Sequence, residues 1–285
     1  MSRADDPTLN RRRLRVELRR ARERAGLTQH EAAGALEWSI SKIIRIEKGT
    51  VGLSVTDLRA MVRQYAVADA ELVAALEEAA RGSKGQPWWT QFRDIVQPPF
   101  DLYLSYEGSA TSIRAFHPIY FPGFLQTTDY VVALALPVVS PERARRAAEL
   151  RAARQERLFE TEDGPQTHFI VDEAAIRRMI GGPALMRQQL RYVRELATRD
   201  RVRLQILPFT AGVHASVDGS FALLGFEDDD DLVNVESLGG TLASRDDYEL
   251  IARYQECFED LTERALSDEA TLALIDQTLE GLGTN

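Results

Sequence analysis

The stretch Leu27-Thr28-Gln29-His30-Glu31-Ala32-Ala33, followed after a short break by Ser39-Ile40-Ser41-Lys42-Ile43-Ile44-Arg45-Ile46-Glu47-Lys48-Gly49, carries two helix starts in quick succession. Thr28 with Glu31 three residues later has the spacing of a capping box, in which hydroxyl and carboxylate each satisfy a backbone N–H that the first helical turn leaves unpaired. A short helix restarts at Gln29 and buries Ala32, Ala33 and Leu36. Beyond Glu37 and Trp38, Ser39 is placed to cap a further helix whose inward residues are Ile43 and Ile46. Gly49 ends it, with Lys48 near the negative end of the helix dipole. Two short helices thus meet across a tight turn.

Upstream, Leu14, Leu18, Ala21 and Ala25 form one apolar helical stripe, and Gly26 stops it. Downstream, Ser54 with Asp57 caps a helix carrying Leu58, Met61, Val62 and Tyr65, and a fifth helix runs from Asp69 to Arg81. The pattern predicts an all-α bundle of four or five helices over residues 10–81.

Within this bundle Ala33, Glu37, Ile43 and Ile46 fall at the relative positions 5, 9, 15 and 18 that a helix-turn-helix gives to its small, turn and apolar residues. The quoted stretch closely resembles the Cro/CI-type family, also called the xenobiotic-response-element family. The resemblance implies that the helix starting at Ser39 enters the major groove of double-stranded DNA, that Gln29 touches a phosphate and braces that helix, and that Ile40, Ser41 and Arg45 meet bases. Chemically, Arg45 suits guanine O6 and N7, Ser41 several base edges, and Ile40 a thymine methyl, while Lys42 suits a phosphate. Ser39, Ile44 and Lys48 complete the candidate contact set, with the Arg11, Arg12 and Arg13 cluster as a phosphate anchor. Alternatives remain open: Arg45 has Glu47 and Glu17 within reach for an ion pair, and Ile40 with Ile44 forms an apolar patch that would also serve a protein partner. Glu37 departs from the glycine usual at the turn, which costs about 1 kcal/mol if its φ is positive.

Charge is divided by position. The chain has net charge −9, yet residues 1–65 hold 14 Lys and Arg against 8 Asp and Glu, leaving 21 against 36 for the remainder. A basic module on an acidic body is expected where one part alone approaches phosphate, although Arg11, Arg12, Arg13, Arg15, Arg19, Arg20, Arg22 and Arg24 on charge alone equally describe a solvated helix face. No apolar run approaches the roughly 18 residues of a membrane span, and no secretory signal is recognisable, so a soluble, cytoplasmic protein without membrane association is expected. Cys257 is the sole cysteine, which rules out an internal disulfide.

The 285-residue length calls for a second domain. The breaker-rich segment 82–87 reads as a linker and residues 88–285 as a domain opening on Trp88-Trp89. Helical patterns near 124–135, 142–160, 184–199 and 246–280 surround strand patterns at 167–172, 201–207, 219–226 and 232–238. A mixed α+β domain with a small, mainly antiparallel sheet follows, and the chain as a whole is α+β. Asp228-Asp229-Asp230-Asp231 reads as a solvated hairpin loop rather than a metal site. The runs Pro122-Gly123-Phe124-Leu125-Gln126-Thr127-Thr128-Asp129-Tyr130 and Leu207-Pro208-Phe209, with Gly219-Ser220-Phe221, are similar to the C-terminal domain of antitoxin-like regulators of high-GC filamentous bacteria. That resemblance implies a regulatory domain binding a small partner protein encoded nearby, or an effector.

An enzyme reading is weaker. His214, Ser216 and Asp218 lie close together but lack a nucleophile elbow, and His30, His117 and His168 are scattered without metal-ligand spacing. Gly181-Gly182 and Gly239-Gly240 fit turns rather than nucleotide loops. The expectation is a non-enzymatic, sequence-specific DNA-binding transcriptional regulator without cofactor or metal. A single reading helix per chain predicts a homodimer on a partly palindromic operator. The alternatives are a regulator whose C-terminal domain hydrolyses a ligand, and a non-DNA-binding interaction module.

Overall fold

A computed structural model describes residues 7–49, 51–98, 100–161, 164–216, 219–227, 231–237, 240–244 and 247–283. The chain divides into two compact units, one formed by residues 1–91 with 104–109, the other by 92–103 with 110–285.

The first unit is built on α1 (Pro7–Arg24), α2 (Gln29–Ala35), α3 (Ile40–Glu47), α4 (Val55–Gln64) and α5 (Ala70–Gly82). Each of the last four starts where a side-chain cap is available. Thr28 and Glu31 form the complete capping box, and Ser39, Ser54 and Asp69 accept backbone N–H groups from the first turns of α3, α4 and α5. The Thr28 N–H and hydroxyl also hold the Glu31 carboxyl below its ordinary range. Three helix ends share one left-handed stop, at Gly26, Glu37 and Ala66, with φ of 70°, 55° and 54°. In each, the next N–H reaches back five residues: Leu27 to Arg22, Trp38 to Ala33, Val67 to Val62. The conditional strain at Glu37 is therefore present, and Ala66 repeats it unannounced by the sequence. Leu18, Ala32, Ile43, Leu58, Met61 and Leu76 meet in one core, drawn from all five helices. The core closes at Ser83, fully buried just past α5, whose Oγ accepts the Leu53 N–H and donates to the Ala80 carbonyl. The segment 82–87 thus begins as part of this unit's packing.

The helix α6 (Phe100–Glu107) straddles the division between the units. The second unit then runs β1 (Ser112–His117), α7 (Thr128–Ala135), α8 (Pro141–Phe159), β2 (Gln166–Asp172), α9 (Glu173–Arg177), α10 (Pro183–Leu196), β3 (Val202–Leu207), β4 (Phe221–Gly225), β5 (Leu232–Ser237), β6 (Gly240–Ser244), α11 (Tyr248–Arg264) and α12 (Asp268–Gly281). Among the described residues the strands form one sheet in the order β3-β2-β1-β4-β5-β6. The β1–β2 and β2–β3 pairs are parallel, and the β1–β4, β4–β5 and β5–β6 pairs antiparallel, so the sheet is mixed. Strands β1 and β6 had no counterpart in the sequence reading, and the single helical run expected over 246–280 breaks into α11 and α12 where Ser267 caps the second.

Alternation along the strands sorts two faces. Phe116, Ile170, Phe221, Leu223 and Val233 face α11, packing on Ile251, Phe258 and Leu261. The opposite face carries Ala115 paired with Phe169 and with Ala222, which in turn pairs with Asn234. Phe124, in a short 3-10 turn over Gly123–Leu125, lies on Phe169 at 6.0 Å between ring centroids. No helix among the described residues is long and apolar enough to cross a membrane.

Candidate nucleic-acid interface

The helix α3 has a strict inside and outside. Ile43, Ile46 and Glu47 are buried, while Ile40, Ser41, Arg45 and, at the C-cap, Lys48 are exposed, with Ile44 and Lys42 between. The outward stripe runs along one side of the helix, and Ser39 stands exposed at its start, its Oγ accepting the Lys42 N–H at 3.3 Å. The stripe offers a guanidinium, a hydroxyl, an ammonium and apolar groups side by side, the kinds of group that read base edges.

What fixes the angle of α3 is a buried charge network. The Arg22 guanidinium of α1 forks onto Glu47, with Nε to Oε1 at 2.6 Å and Nη2 to Oε2 at 3.0 Å, and its Nη1 donates to the Leu27 carbonyl at 2.7 Å. Gln29 adds its Nε2 to Glu47 Oε2 at 2.8 Å. The side chains of Arg22 and Glu47 are 9% and 3% exposed, so the pair is desolvated on both sides. The hydrogen bond to Glu47 raises the Arg22 pKa further, keeping the cation charged despite burial. A planar fork fixes orientation as well as distance. Three segments, α1, the turn before α2, and α2 itself, are thereby tied to the end of α3. Gln29 is thus tied to the end of α3 through Glu47. Arg22 was absent from the sequence-derived candidates; its place one turn after Leu18, inside the apolar stripe of α1, was the signal.

Of the ion pairs open to Arg45, Glu47 is taken up by Arg22 and Gln29, and Glu17 pairs with Arg20 at 3.6 Å. Arg45 Nε lies 3.3 Å from the Ser41 carbonyl on its own helix. Lys42 points inward: its Nζ is 2.9 Å from Asp57 Oδ1 on α4 and 3.6 Å from the centre of the Trp38 ring. It is a strut between α3 and α4 before it is anything else. In the Arg11 to Arg13 cluster, Arg11 Nε donates to the Ser83 carbonyl at 2.7 Å and Nη2 to the Gly85 carbonyl at 2.9 Å, Arg12 is half-buried, and Arg13 is exposed. Arg11 is therefore an internal tie, which corrects its reading as a free anchor, and Arg13 is the exposed member.

In the second unit His214 and Ser216 are each bonded to backbone groups of their own loop. His214 Nδ1 accepts the Ser216 backbone N–H at 3.3 Å, and the Ser216 hydroxyl donates to the Gly219 carbonyl at 3.0 Å. Asp218 lies outside the described residues, as do Asp228, Asp229, Asp230 and Gly239. Asp231 receives Arg114 Nη2 at 3.3 Å and Gln255 Nε2 at 2.8 Å. His168 is bonded to Gln205 at 2.7 Å, and burial pushes its pKa down to about 4. Cys257 is buried, with its thiol pKa raised by that burial. Among the described residues no group of His, Cys, Asp and Glu is placed to hold a metal ion.

Comparison with known proteins adds two domain matches. Residues 13–76 match the family described as Helix-turn-helix domain, which supports a DNA-binding regulator, and residues 100–277 match Domain of unknown function (DUF5753). No curated protein and no solved structure matches the chain. The helix-turn-helix match spans α2 and α3, and the second match covers more than half of the chain, which is a member of the DUF5753 family with a helix-turn-helix domain at its N-terminal end.

Proposed function

We propose that the protein is a cytoplasmic, sequence-specific transcriptional regulator of the Cro/CI type that reads its operator with α3. The observation that carries this reading is the outward stripe of α3, Ile40, Ser41, Arg45 and Lys48, held at a fixed angle by the Arg22–Glu47–Gln29 network. Arg45 grips guanine and Ser41 bonds a neighbouring base edge, while Ile40 and Ile44 pack on thymine methyls. Lys48 and Arg13 meet phosphates. Lys42 contributes by holding α3 against α4. Two chains bind as a homodimer to half-sites about one DNA turn apart.

The C-terminal domain is read as a non-enzymatic, antitoxin-like regulatory body that binds a small partner protein or an effector. The Ser216 hydroxyl spent on the Gly219 carbonyl, rather than on a base, supports the non-enzymatic reading. Selection of binding sites from a random DNA pool with the full chain tests the function. A recovered motif with two related half-sites is the expected result, and enrichment no better than chance, with binding that depends on salt alone, would reject sequence-specific reading.

A further inference from the structure

The ends of α1 and α4 border one hollow in the helical bundle. Both helices stop in the left-handed conformation, at Gly26 and Ala66, and the chain beyond each stop turns back so that Leu27 and Val67 pack against the bundle core. The side chains around these two stops are small: Ala21 and Ala25 come from the last turns of α1, and Ala66 and Ala68 from the segment after α4. They leave a cavity of about 590 Å³. Its floor is formed by Ala21, Tyr65 and Leu76, which are 8%, 4% and 1% exposed, and its walls by the half-buried Leu27, Val67 and Leu72. Sites that take small organic molecules span roughly 300–1,000 Å³ and are lined mainly by apolar groups, which is the character of this one. The Tyr65 hydroxyl is buried without a hydrogen-bond partner, so the floor is closed by a residue whose polar atom the chain itself does not satisfy.

The rim carries three charged side chains, and two of them are already engaged. Glu17 pairs with Arg20 at 3.6 Å, and Asp69 Oδ1 accepts the Glu71 and Leu72 N–H groups at 3.0 Å each as the cap of α5. Arg24, exposed in the last turn of α1, has no acceptor and no counter-charge among the described residues. An unpaired arginine on open surface is simply hydrated. At the mouth of an apolar hollow it offers an anionic head a partner while the attached body is buried.

We propose that this cavity is a binding site for a hydrophobic carboxylic acid, its apolar body resting on Ala21, Tyr65 and Leu76 and its carboxylate on the Arg24 guanidinium at the rim. A carboxylate fits because it matches the planar edge of a guanidinium, and an amine does not because both rim carboxylates have partners of their own. The exposed Arg24, Gln64 and Asp69 leave the way in from solvent open. The site lies wholly within the helical bundle, separate from the effector binding assigned to the C-terminal domain. It does not depend on the DNA-binding reading, and its test uses no DNA.

The full chain is titrated with 3-phenylpropionate, 3-phenylpropanamide, 3-phenylpropylamine and acetate, read by saturation-transfer NMR and by the rise in melting temperature. 3-Phenylpropionate is expected to bind saturably, about tenfold or more tightly than acetate through its buried body, and about threefold or more tightly than the amide through Arg24. Arg24→Gln should erase the preference for the carboxylate over the amide while leaving the amide unchanged. Ala25→Phe, which places a ring at the exposed edge of the hollow, should weaken 3-phenylpropionate and the amide alike by about tenfold. Absence of saturable binding by 3-phenylpropionate overturns the site, and so does parental affinity in Ala25→Phe, which would place the ligand elsewhere. Binding of the amide or the amine as tight as that of the carboxylate overturns the assignment to an acid, as does a preference that survives Arg24→Gln. If Ala25→Phe does not fold, the wild-type ranking and the Arg24→Gln titration decide the matter alone.

Discussion

Arg22 in the helical bundle and Arg151 in the sheet domain are both arginines with buried nitrogens, and they are treated in opposite ways. Arg22 spends its Nε, Nη1 and Nη2 on Glu47 and the Leu27 carbonyl, and its pKa is raised. Arg151 keeps a buried Nε without an acceptor and is pushed down to about 10. Burial alone therefore does not define the role of a charged side chain; the completeness of its hydrogen bonding does. The bundle uses its cation as scaffold, to hold a helix whose outer face works.

The comparison breaks most visibly at Glu47. Glu47→Ala removes the bidentate partner of the desolvated Arg22, leaving it the Leu27 carbonyl and Glu23 at 3.6 Å, and should lower the stability of the bundle by about 3 kcal/mol, measured by chemical denaturation. Replacing both members, Arg22→Met with Glu47→Leu, should recover most of that loss, and a single variant as stable as the parent would show that the pair is dispensable.

A second test uses pH. Burial, reinforced by the charge of Glu47, pushes Tyr65 from 10.0 to about 12, and its hydroxyl has no partner. The folded state thus holds the phenol proton more tightly than the unfolded state, so this contribution is complete below pH 10 and is lost as pH rises toward 12. Tyr65→Phe should leave stability near pH 7 almost unchanged and flatten the alkaline limb of the bundle's melting curve. A limb as steep as the parent's would assign the effect elsewhere.

The smallest expected effect is at the turn. Glu37 holds φ of 55° in a stop that glycine adopts freely, so Glu37→Gly should stabilise the bundle by up to about 1 kcal/mol. A lowered melting temperature would mean that the side chain compensates its own strain.

Sequence reading succeeds where the determining interactions are local. Thr28 with Glu31, Ser39 and Ser54 act within one turn of where they stand and cap the helices expected of them, and Asp69, expected as the first residue of the fifth helix, stands as its cap. The outward stripe of α3 follows from the same periodicity. In the sheet domain β1 escaped notice because it is a central strand, paired on both sides, with Arg114 and Ala115 interrupting any alternation. The Arg22–Glu47 pair joins residues 25 apart, and Phe124 reaches Phe169 only because the 3-10 turn is laid over the sheet. Such long-range coincidences leave no periodic trace. Lys42 and Arg11 show the converse: their charge was legible, but their inward partners, Asp57 and the carbonyls beyond α5, were not.

The central claim is that α3 reads bases through Arg45. It is tested most directly by measuring the affinity of Arg45→Ala and Arg13→Gln for a selected operator and for random DNA across a salt series. Arg45→Ala should cost roughly 1 to 3 kcal/mol on the operator and much less on random DNA, because a bidentate base contact is lost. Arg13→Gln should weaken both alike and flatten the salt dependence, as loss of a phosphate contact does. Equal losses on both DNAs for Arg45→Ala would make Arg45 a phosphate or scaffold residue, and would contradict the placement of the reading face on α3.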